Sequence, residues 1–284
     1  MNPYPLIVGA LFGACVLGCQ HSKDQKETQI LFNGQDLSGW DTYLGPEWRE
    51  TSDSTVEKVG DPVGLNVDPK SIFSVVSEDQ QQVIRVSGEQ WGGISTTQEY
   101  ENYHLKLNFK WGQTRHRPKE KNKRDSGLLY HAVGNHGAGG GFWMRSQEFQ
   151  IQEGDCGDYW GVAGGIMDIP TNPKDDNYVY EPGSVLRTFS EHSVAGRHAT
   201  KFPDPEYPSG QWNTLELICF GDTAIHIVNE VVVMVLHQSR QLSETGEIPL
   251  KKGKIQLQSE GAELFYKEIQ LKPITAIPEG ILEH

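Results

Sequence analysis

From His104 to Trp111 the chain alternates polar and apolar residues without a break: His104-Leu105-Lys106-Leu107-Asn108-Phe109-Lys110-Trp111. A period of two puts Leu105, Leu107, Phe109 and Trp111 on one face and predicts a half-buried β-strand. The same signal predicts strands over residues 126–133, 148–153, 212–220, 223–229, 231–237 and 254–259. Asn229-Glu230 falls between two of them and reads as a hairpin turn, its type left open because Glu is a poor second residue for type I′. No segment holds a helical period for more than two turns. Many strands with turn signals between them predict an all-β chain, a sandwich or jelly roll. No Pro/Gly/Ser linker interrupts residues 30–273, which read as one domain, with residues 274–284 as a tail. Two stretches, 46–68 and 112–124, carry no strand signal and read as long loops.

Composition sharpens this picture. The 31 glycines and 15 prolines among 284 residues suit a fold rich in turns. A formal charge of −13 argues against nucleic acid as a partner and gives no attraction to an anionic membrane. At the N-terminus the apolar run from Leu6 to Leu17 is too short to span a bilayer and suits a signal-peptide core. It closes on Val16-Leu17-Gly18-Cys19, which resembles a bacterial lipobox. Residues 1–18 are then expected to be a signal peptide, Cys19 the lipidated residue and residues 19–29 a tether. That predicts an exported bacterial lipoprotein, periplasmic or at the cell surface, touching the membrane only through its anchor. Cys156 and Cys219 could pair, although Cys219 alternates with Leu215 and Leu217 and reads better as a small core residue. No Cys/His cluster has zinc spacing.

The chemistry centres on Glu148-Phe149-Gln150-Ile151-Gln152-Glu153. Parity places Phe149 and Ile151 on the core side and Glu148 and Gln150 on the open side. A β-bulge would bring Glu153 back toward Glu148. Two carboxylates on an open sheet face can serve as acid and base on a small polar substrate; the plainer alternative is an edge strand with a solvated face. On neighbouring strands the same count sends Leu128 and Tyr130 inward and His131 to the cleft. It packs Ile255 and Leu257 inward and projects Gln256 and Gln258 outward. Glu148 or Glu153 is the expected base, with Gln150 and Gln258 contacting substrate hydroxyls. Trp160 is a candidate stacking platform for a sugar ring, or a loop-packing residue. The basic run Arg115, Arg117, Lys119, Lys121, Lys123 and Arg124 reads either as a solvated loop or as a lid ending at Arg124. Asp125 is a weaker substrate contact, and both it and Asp155 could simply cap turns. Glu148, Glu153 and Asp155 could supply hard oxygen ligands to a divalent cation, but no Asp-rich calcium loop is present, and no metal or other cofactor is assigned.

An ordered series of short motifs carries a family resemblance. It comprises Leu31-Phe32-Asn33-Gly34-Gln35-Asp36-Leu37-Ser38-Gly39-Trp40, Gly92-Gly93-Ile94, Tyr100-Glu101-Asn102-Tyr103-His104-Leu105 and Asp125-Ser126-Gly127-Leu128-Leu129-Tyr130. Glu148 to Glu153, Gly210-Gln211-Trp212-Asn213-Thr214 and Gly253-Lys254-Ile255-Gln256-Leu257-Gln258 complete it. Over residues 30–273 the chain resembles the 3-keto-disaccharide hydrolase domain family. The resemblance implies a concanavalin A-like jelly roll of two antiparallel sheets, one with a concave ligand face, and export in glycoside-degrading bacteria. It also implies cleavage of 3-keto-glycosides: proton abstraction at C2, expulsion of the C1 group, then hydration. In that chemistry His131 would be the acid or the donor to the enolate, and a sugar 3-dehydrogenase would be a partner supplying a small keto-oligosaccharide or keto-glycoside. The chain departs from many relatives at His131, Ser259 and Glu260. The Glu148 strand also looks like the Glu-x-Asp-x-x-Glu signature of laminarinase-type glycosidases, but Gln150 replaces the central Asp, and a neutral amide cannot tune the flanking glutamates. Ordinary retaining hydrolysis is therefore the less favoured alternative. A non-catalytic cell-surface sugar-binding module is the other, since jelly rolls host both.

Overall fold

The computed structural model describes residues 1, 27–52 and 55–282. The lipobox-like segment ending at Cys19 lies outside them. The described residues form strands and turns without a helix, in a twelve-stranded and an eight-stranded sheet, each antiparallel, plus one small hairpin. The predicted strands appear as Tyr103–Arg115, Asp125–Val133, Arg145–Gln152, Asn213–Phe220, Thr223–Val228, Val231–Ser243 and Lys254–Ser259. The chain is therefore an all-β sandwich of the jelly-roll kind.

The order across the eight-stranded sheet positions the site. It runs His198–Ala199, Tyr159–Val162, Arg145–Gln152, Asp125–Val133, Lys254–Ser259, Gly92–Thr96, Trp40–Leu44 and Gly64–Leu65. Its inner face contributes Phe149, Ile151, Leu128, Tyr130, Ile255, Leu257 and Ile94, all fully buried. These pack against Leu105, Leu107 and Phe109 from strand Tyr103–Arg115 and Leu215 and Leu217 from strand Asn213–Phe220. Burial of that apolar area, at roughly 25 cal/mol per Å², is what holds the two sheets together.

Several local features depart from simple alternation. Asn229 and Glu230 both take positive φ, 48° and 68°, so the hairpin between strands Thr223–Val228 and Val231–Ser243 is of type I′ despite the Glu. His131 also has positive φ, 51°, and the register slips between Tyr130 and Val133. This bulge places two consecutive residues, Tyr130 and His131, on the core side. The stretch 46–68 is not a plain loop: it holds the hairpin Glu47–Glu50 with Val56–Val59 and the short edge strand Gly64–Leu65. Strand Ala262–Pro273, which carries no clear alternation, lies centrally against Tyr103–Arg115. Two register shifts, between Ala262 and Leu264 and between Lys267 and Gln270, break its period. Cys156 and Cys219 are both buried and free, so they form no disulfide.

Candidate functional site

Antiparallel register sets the side chains of the eight-stranded sheet in rows on its outer face. Leu129 pairs with Glu148, Gly127 with Gln150 and Asp125 with Gln152. Glu148 pairs in turn with Trp160, and Trp160 with His198. On the other side Gln258 pairs with Gly93. Period two then brings Glu148, Gln150, Gln152, Asp125, Gln258, Glu260 and Trp160 to one face. There they line a cavity of about 350 Å³ together with Lys119 and Arg197.

Two glycines make the room. A Cβ on Gly127 would fall on Glu148 Oε1 and Gln258 Oε1, and one on Gly93 would fall on the Gln256 amide. With no side chain at Gly127, the Glu148 carboxyl and the Gln258 amide converge over its backbone. Gln256, on the same parity as Gln258, is committed elsewhere. It accepts from the Met144 amide (3.0 Å) and donates to Ser95 Oγ (2.8 Å), fixing the floor of the sheet.

The electrostatics are unusual for so buried a cluster. Lys119 Nζ donates to both Asp125 and Glu260. Gln150 Nε2 donates weakly to Asp125 Oδ1, at 3.3 Å. Glu148 has no hydrogen-bond donor among the described residues, although it is 6% exposed. Burial holds its carboxyl well above the usual range, and repulsion from Glu260 and Asp125 adds to this against partial relief from Arg197 and Lys119. Burial and Asp125 push Glu260 up to about 8. Asp125 is also raised by burial, with Lys119 opposing. Three buried carboxyl groups, Glu148, Glu260 and Asp125, thus share two cations in a site that disfavours full ionisation. The amide oxygens of Gln150 and Gln258 are buried without partners, which leaves hydrogen-bonding capacity aimed into the cavity.

The loop that closes the cavity is the basic stretch after strand Tyr103–Arg115. Lys119 enters from it and lies 5.0 Å from the Trp91 ring centre. Trp91 stacks on Trp143, 5.8 Å away, and Trp143 also lines the cavity. Arg117 pairs with Glu50 and Glu120, and Lys123 with Asp155, so the rest of the run is anchored at the surface. The loop thus ends over the site through Lys119, not through Arg124.

The sequence-derived residues divide accordingly. Glu148, Gln150, Gln258, Asp125 and Trp160 come together in the cleft. His131 does not. The bulge turns it into the core, edge-on to Tyr103 (6.1 Å) and Tyr130 (5.4 Å), where burial lowers it to about 4. Its ring nitrogens make no hydrogen bond, the Leu250 carbonyl being the one nearby group that favours its charged form. Glu153 is not swung back toward Glu148. The strand ends at Gln152, and Glu153 instead accepts from Arg124 Nη1 at 3.0 and 3.2 Å. Neither Glu153 nor Arg124 lines the cavity. Trp160 does, but its ring is in contact with His198 (4.4 Å) and the Arg197 guanidinium (5.0 Å), which hold it in place. Glu148, Glu153 and Asp155 do not converge as a ligand set, and among the described residues no three His, Cys, Asp or Glu form a metal-holding group.

Arg197 and Glu260 do not stand out as site residues in the sequence, and Lys119 does so only as one member of the basic run read as a possible lid. Glu260 continues the parity of Gln256 and Gln258 by one more step, so alternation does carry a signal for it. Lys119 and Arg197 come from outside the main strands, and alternation says nothing about them. Size does not mark the site either. A larger cavity of about 650 Å³ is lined mainly by apolar residues such as Tyr180, Phe202, Ile227 and Val232, with Glu216 and Glu230 as its charged lining.

The family model described as a 3-keto-alpha-glucoside-1,2-lyase-like domain matches residues 27–272. No curated protein matches the chain. Among solved structures, a Parabacteroides distasonis protein provisionally assigned as a glycosyl hydrolase is similar at 18% identity and TM-score 0.48, covering 87% of this chain and 100% of its own. A Bacteroides ovatus mixed-linkage glucan GH16 protein, in complex with its G4G4G3G product, is similar at 10% identity and TM-score 0.43, covering 87% and 98%. The Bacillus subtilis carbohydrate-binding module CBM66 is similar at 8% identity and TM-score 0.40, covering 70% and 91%. None of the three assigns a residue role here.

Proposed function

The chain belongs to the 3-keto-alpha-glucoside-1,2-lyase-like domain family, a carbohydrate-active one, and we propose that it cleaves 3-keto-glycosides by elimination and hydration. One observation carries this reading: Glu148 is a carboxyl with no hydrogen-bond donor among the described residues, facing a cavity in which burial first, and Glu260 and Asp125 after it, hold its proton affinity high. A ketone at C3 acidifies the C2 proton, because the anion left behind is an enolate. A base removes that proton most effectively when its pKa is raised toward the working pH. Glu148 is the base. Lys119 and Arg197 supply positive charge beside it for the oxyanion that develops at C3. Glu260, pushed up to about 8 and so protonated at neutral pH, is a further donor on that side. The free amide oxygens of Gln150 and Gln258 accept from sugar hydroxyls. Nothing in this route requires a glycosyl–enzyme bond, and Gln150 at the centre of the strand motif suits it better than retaining hydrolysis does. The same reading makes the enzyme an exported lipoprotein held through Cys19, fed by a sugar 3-dehydrogenase.

The test sets a 3-keto-glucoside beside the same glucoside unoxidised and follows release of the aglycone. The keto-sugar alone is expected to react, and deuterium at C2 is expected to slow it where proton abstraction limits the rate. Equal rates on both substrates would favour ordinary hydrolysis. Tight sugar binding with no turnover of either would leave a binding module.

A further inference from the structure

Beside the charged cavity lies a second one of about 260 Å³, which shares Gln150, Gln152 and Trp160 as its wall. Its remaining lining is Asp155, Asp158, Asn177, His198 and Thr200. This chamber contains a histidine–carboxylate pair that the elimination scheme above leaves unused. Asp158 is 3% exposed, and both its oxygens are engaged. Oδ1 accepts from the Lys201 backbone amide at 2.9 Å and Oδ2 meets His198 Nε2 at 2.8 Å. The imidazole also stacks on Trp160, at 4.4 Å and 26°. Its second nitrogen, Nδ1, has no hydrogen-bond partner among the described residues. A ring fixed at one nitrogen by a buried carboxylate, with the other nitrogen free, is the arrangement that presents a proton in a set direction.

Register places this pair relative to the base. Glu148, Trp160 and His198 are successive cross-strand partners in one row of the outer face. Adjacent strands lie roughly 4.8 Å apart, so the backbones of Glu148 and His198 are about 10 Å apart on the same side of the sheet, with the indole between them. For a substrate with C2 over Glu148, the glycosidic oxygen is one carbon away, so it meets the imidazole where both side chains lean over the edge of the indole, and the leaving group then enters the second chamber.

We infer that His198, oriented by Asp158, is the proton donor to the departing glycosidic oxygen, and that the second chamber holds a hydroxylated leaving group such as a sugar. The inference rests on the elimination reading. In the first step the Glu148 carboxylate takes the C2 proton and the C1–C2 double bond forms. The C1–O bond breaks as the imidazolium gives its proton to the leaving oxygen. In the second step neutral His198 takes a proton from water, the hydroxide adds to C1, and Glu148 returns its proton to C2. Both residues end as they began, and no co-reactant beyond water is consumed. Asp158 acts through His198 and is a positioning residue. The chamber's lining of amide, hydroxyl and carboxylate groups matches a polyhydroxylated leaving group better than an aryl one.

The test separates proton donation from mere support. His198→Gln keeps a donor for Asp158 but cannot deliver a proton. On a 3-keto-disaccharide, whose leaving group needs protonation, the variant is expected to lose on the order of a hundred- to ten-thousand-fold in rate. On a nitrophenyl 3-keto-glucoside, which leaves as a stable anion, the loss is expected to stay below about fivefold, both losses being read as release of the leaving group in a single turnover, before the hydration step that the two substrates share. Wild type needs no variant for a parallel check: its rates across leaving groups of rising pKa are expected to be nearly flat. Equal losses on both substrates, no loss on either, or a steep leaving-group dependence in wild type overturns the role of His198 while elimination stands. Failure of wild type to act on any 3-keto substrate overturns the elimination reading and this inference together.

Discussion

The two faces of strand Arg145–Gln152 bury titratable groups in opposite ways. On the inner face Phe149 stacks on His226, with ring centres 4.1 Å apart. His226 is fully buried, yet both its nitrogens are engaged, Nδ1 with the Gly157 carbonyl at 3.0 Å and Nε2 with Tyr130 Oη at 3.2 Å. A carbonyl can only accept, so Nδ1 carries the proton and Nε2 accepts from the phenol. Burial lowers the ring to about 3, which keeps it neutral. One residue before Phe149, on the outer face, Glu148 is almost as deeply buried and has no donor among the described residues. Burial alone therefore does not identify a site. What separates the two groups is unspent hydrogen-bonding capacity facing a cavity, costly in the free protein and recovered when a polar ligand arrives.

The sharpest way to break this contrast is to alter each face in turn. Glu148→Gln keeps the shape and removes the base. It is expected to slow turnover of a 3-keto-glucoside on the order of a hundred- to ten-thousand-fold. The unfolding midpoint at pH 8 should not fall, since a carboxyl that the fold disfavours ionising is gone. Full activity in that variant would remove Glu148 from the chemistry. On the inner face, Phe149→Ala leaves every cleft side chain in the sequence. Its expected cost is about 3–5 kcal/mol of stability, measured by denaturant unfolding, from lost burial and a cavity beside His226.

The same contrast has a pH signature with opposite signs. His226 and His131, lowered to about 3 and about 4, bind fewer protons folded than unfolded below pH 6.5. Their contribution to stability is full above 6.5 and is lost as pH falls toward those values, each histidine losing about 1.4 kcal/mol for every tenfold rise in proton concentration. Glu260, raised to about 8, works the other way. Its contribution is full below the ordinary carboxylate value of 4.5 and is lost as pH rises toward 8. Glu260→Gln should therefore remove a loss of about 1.4 kcal/mol per pH unit between pH 4.5 and 8, making the slope of stability against pH more positive there, while leaving the slope below pH 4.5 unchanged. Urea unfolding across that range reads both limbs, and an unchanged slope above pH 4.5 would mean that Glu260 ionises freely in the native protein.

Alternation alone exposed much of this site. Counting by two from Phe149 and Ile151 sends Glu148 and Gln150 outward, and counting from Ile255 and Leu257 does the same for Gln258, because both strands run without interruption through the cleft. The count fails where the backbone stops being periodic. His131 follows a bulge, so parity sends it to the wrong side. Glu153 lies past the strand end, where Gly154 turns the chain with φ 82°. Strand Ala262–Pro273 hides behind two register shifts. Lys119 and Arg197 reach the cleft across many residues of sequence, and only tertiary packing reveals them. The family resemblance could supply the fold, but His131 shows that a role cannot be assigned until the side chain's direction is known.

The smallest expected effect tests that last point. Glu153 and Arg124 are candidates on sequence grounds, yet they pair with each other at the rim and do not line the cavity. Arg124 Nε also donates to the Gly112 carbonyl at 3.2 Å, so the pair ties the end of the basic loop to the turn after the Glu148 strand. Glu153 is about one-third exposed, at 32%, and its carboxylate is correspondingly screened by water. Breaking such a pair is expected to cost at most about 1 kcal/mol of stability. Glu153→Gln should keep turnover within about threefold of wild type, since it moves no group that touches the cleft and ordinary surface changes stay within roughly 0.5 kcal/mol. Side-by-side rates for Glu148→Gln and Glu153→Gln on one keto-substrate decide the matter. A loss at Glu153 comparable to that at Glu148 would mean that the rim turn closes over the substrate and that the two carboxyls act as a pair after all.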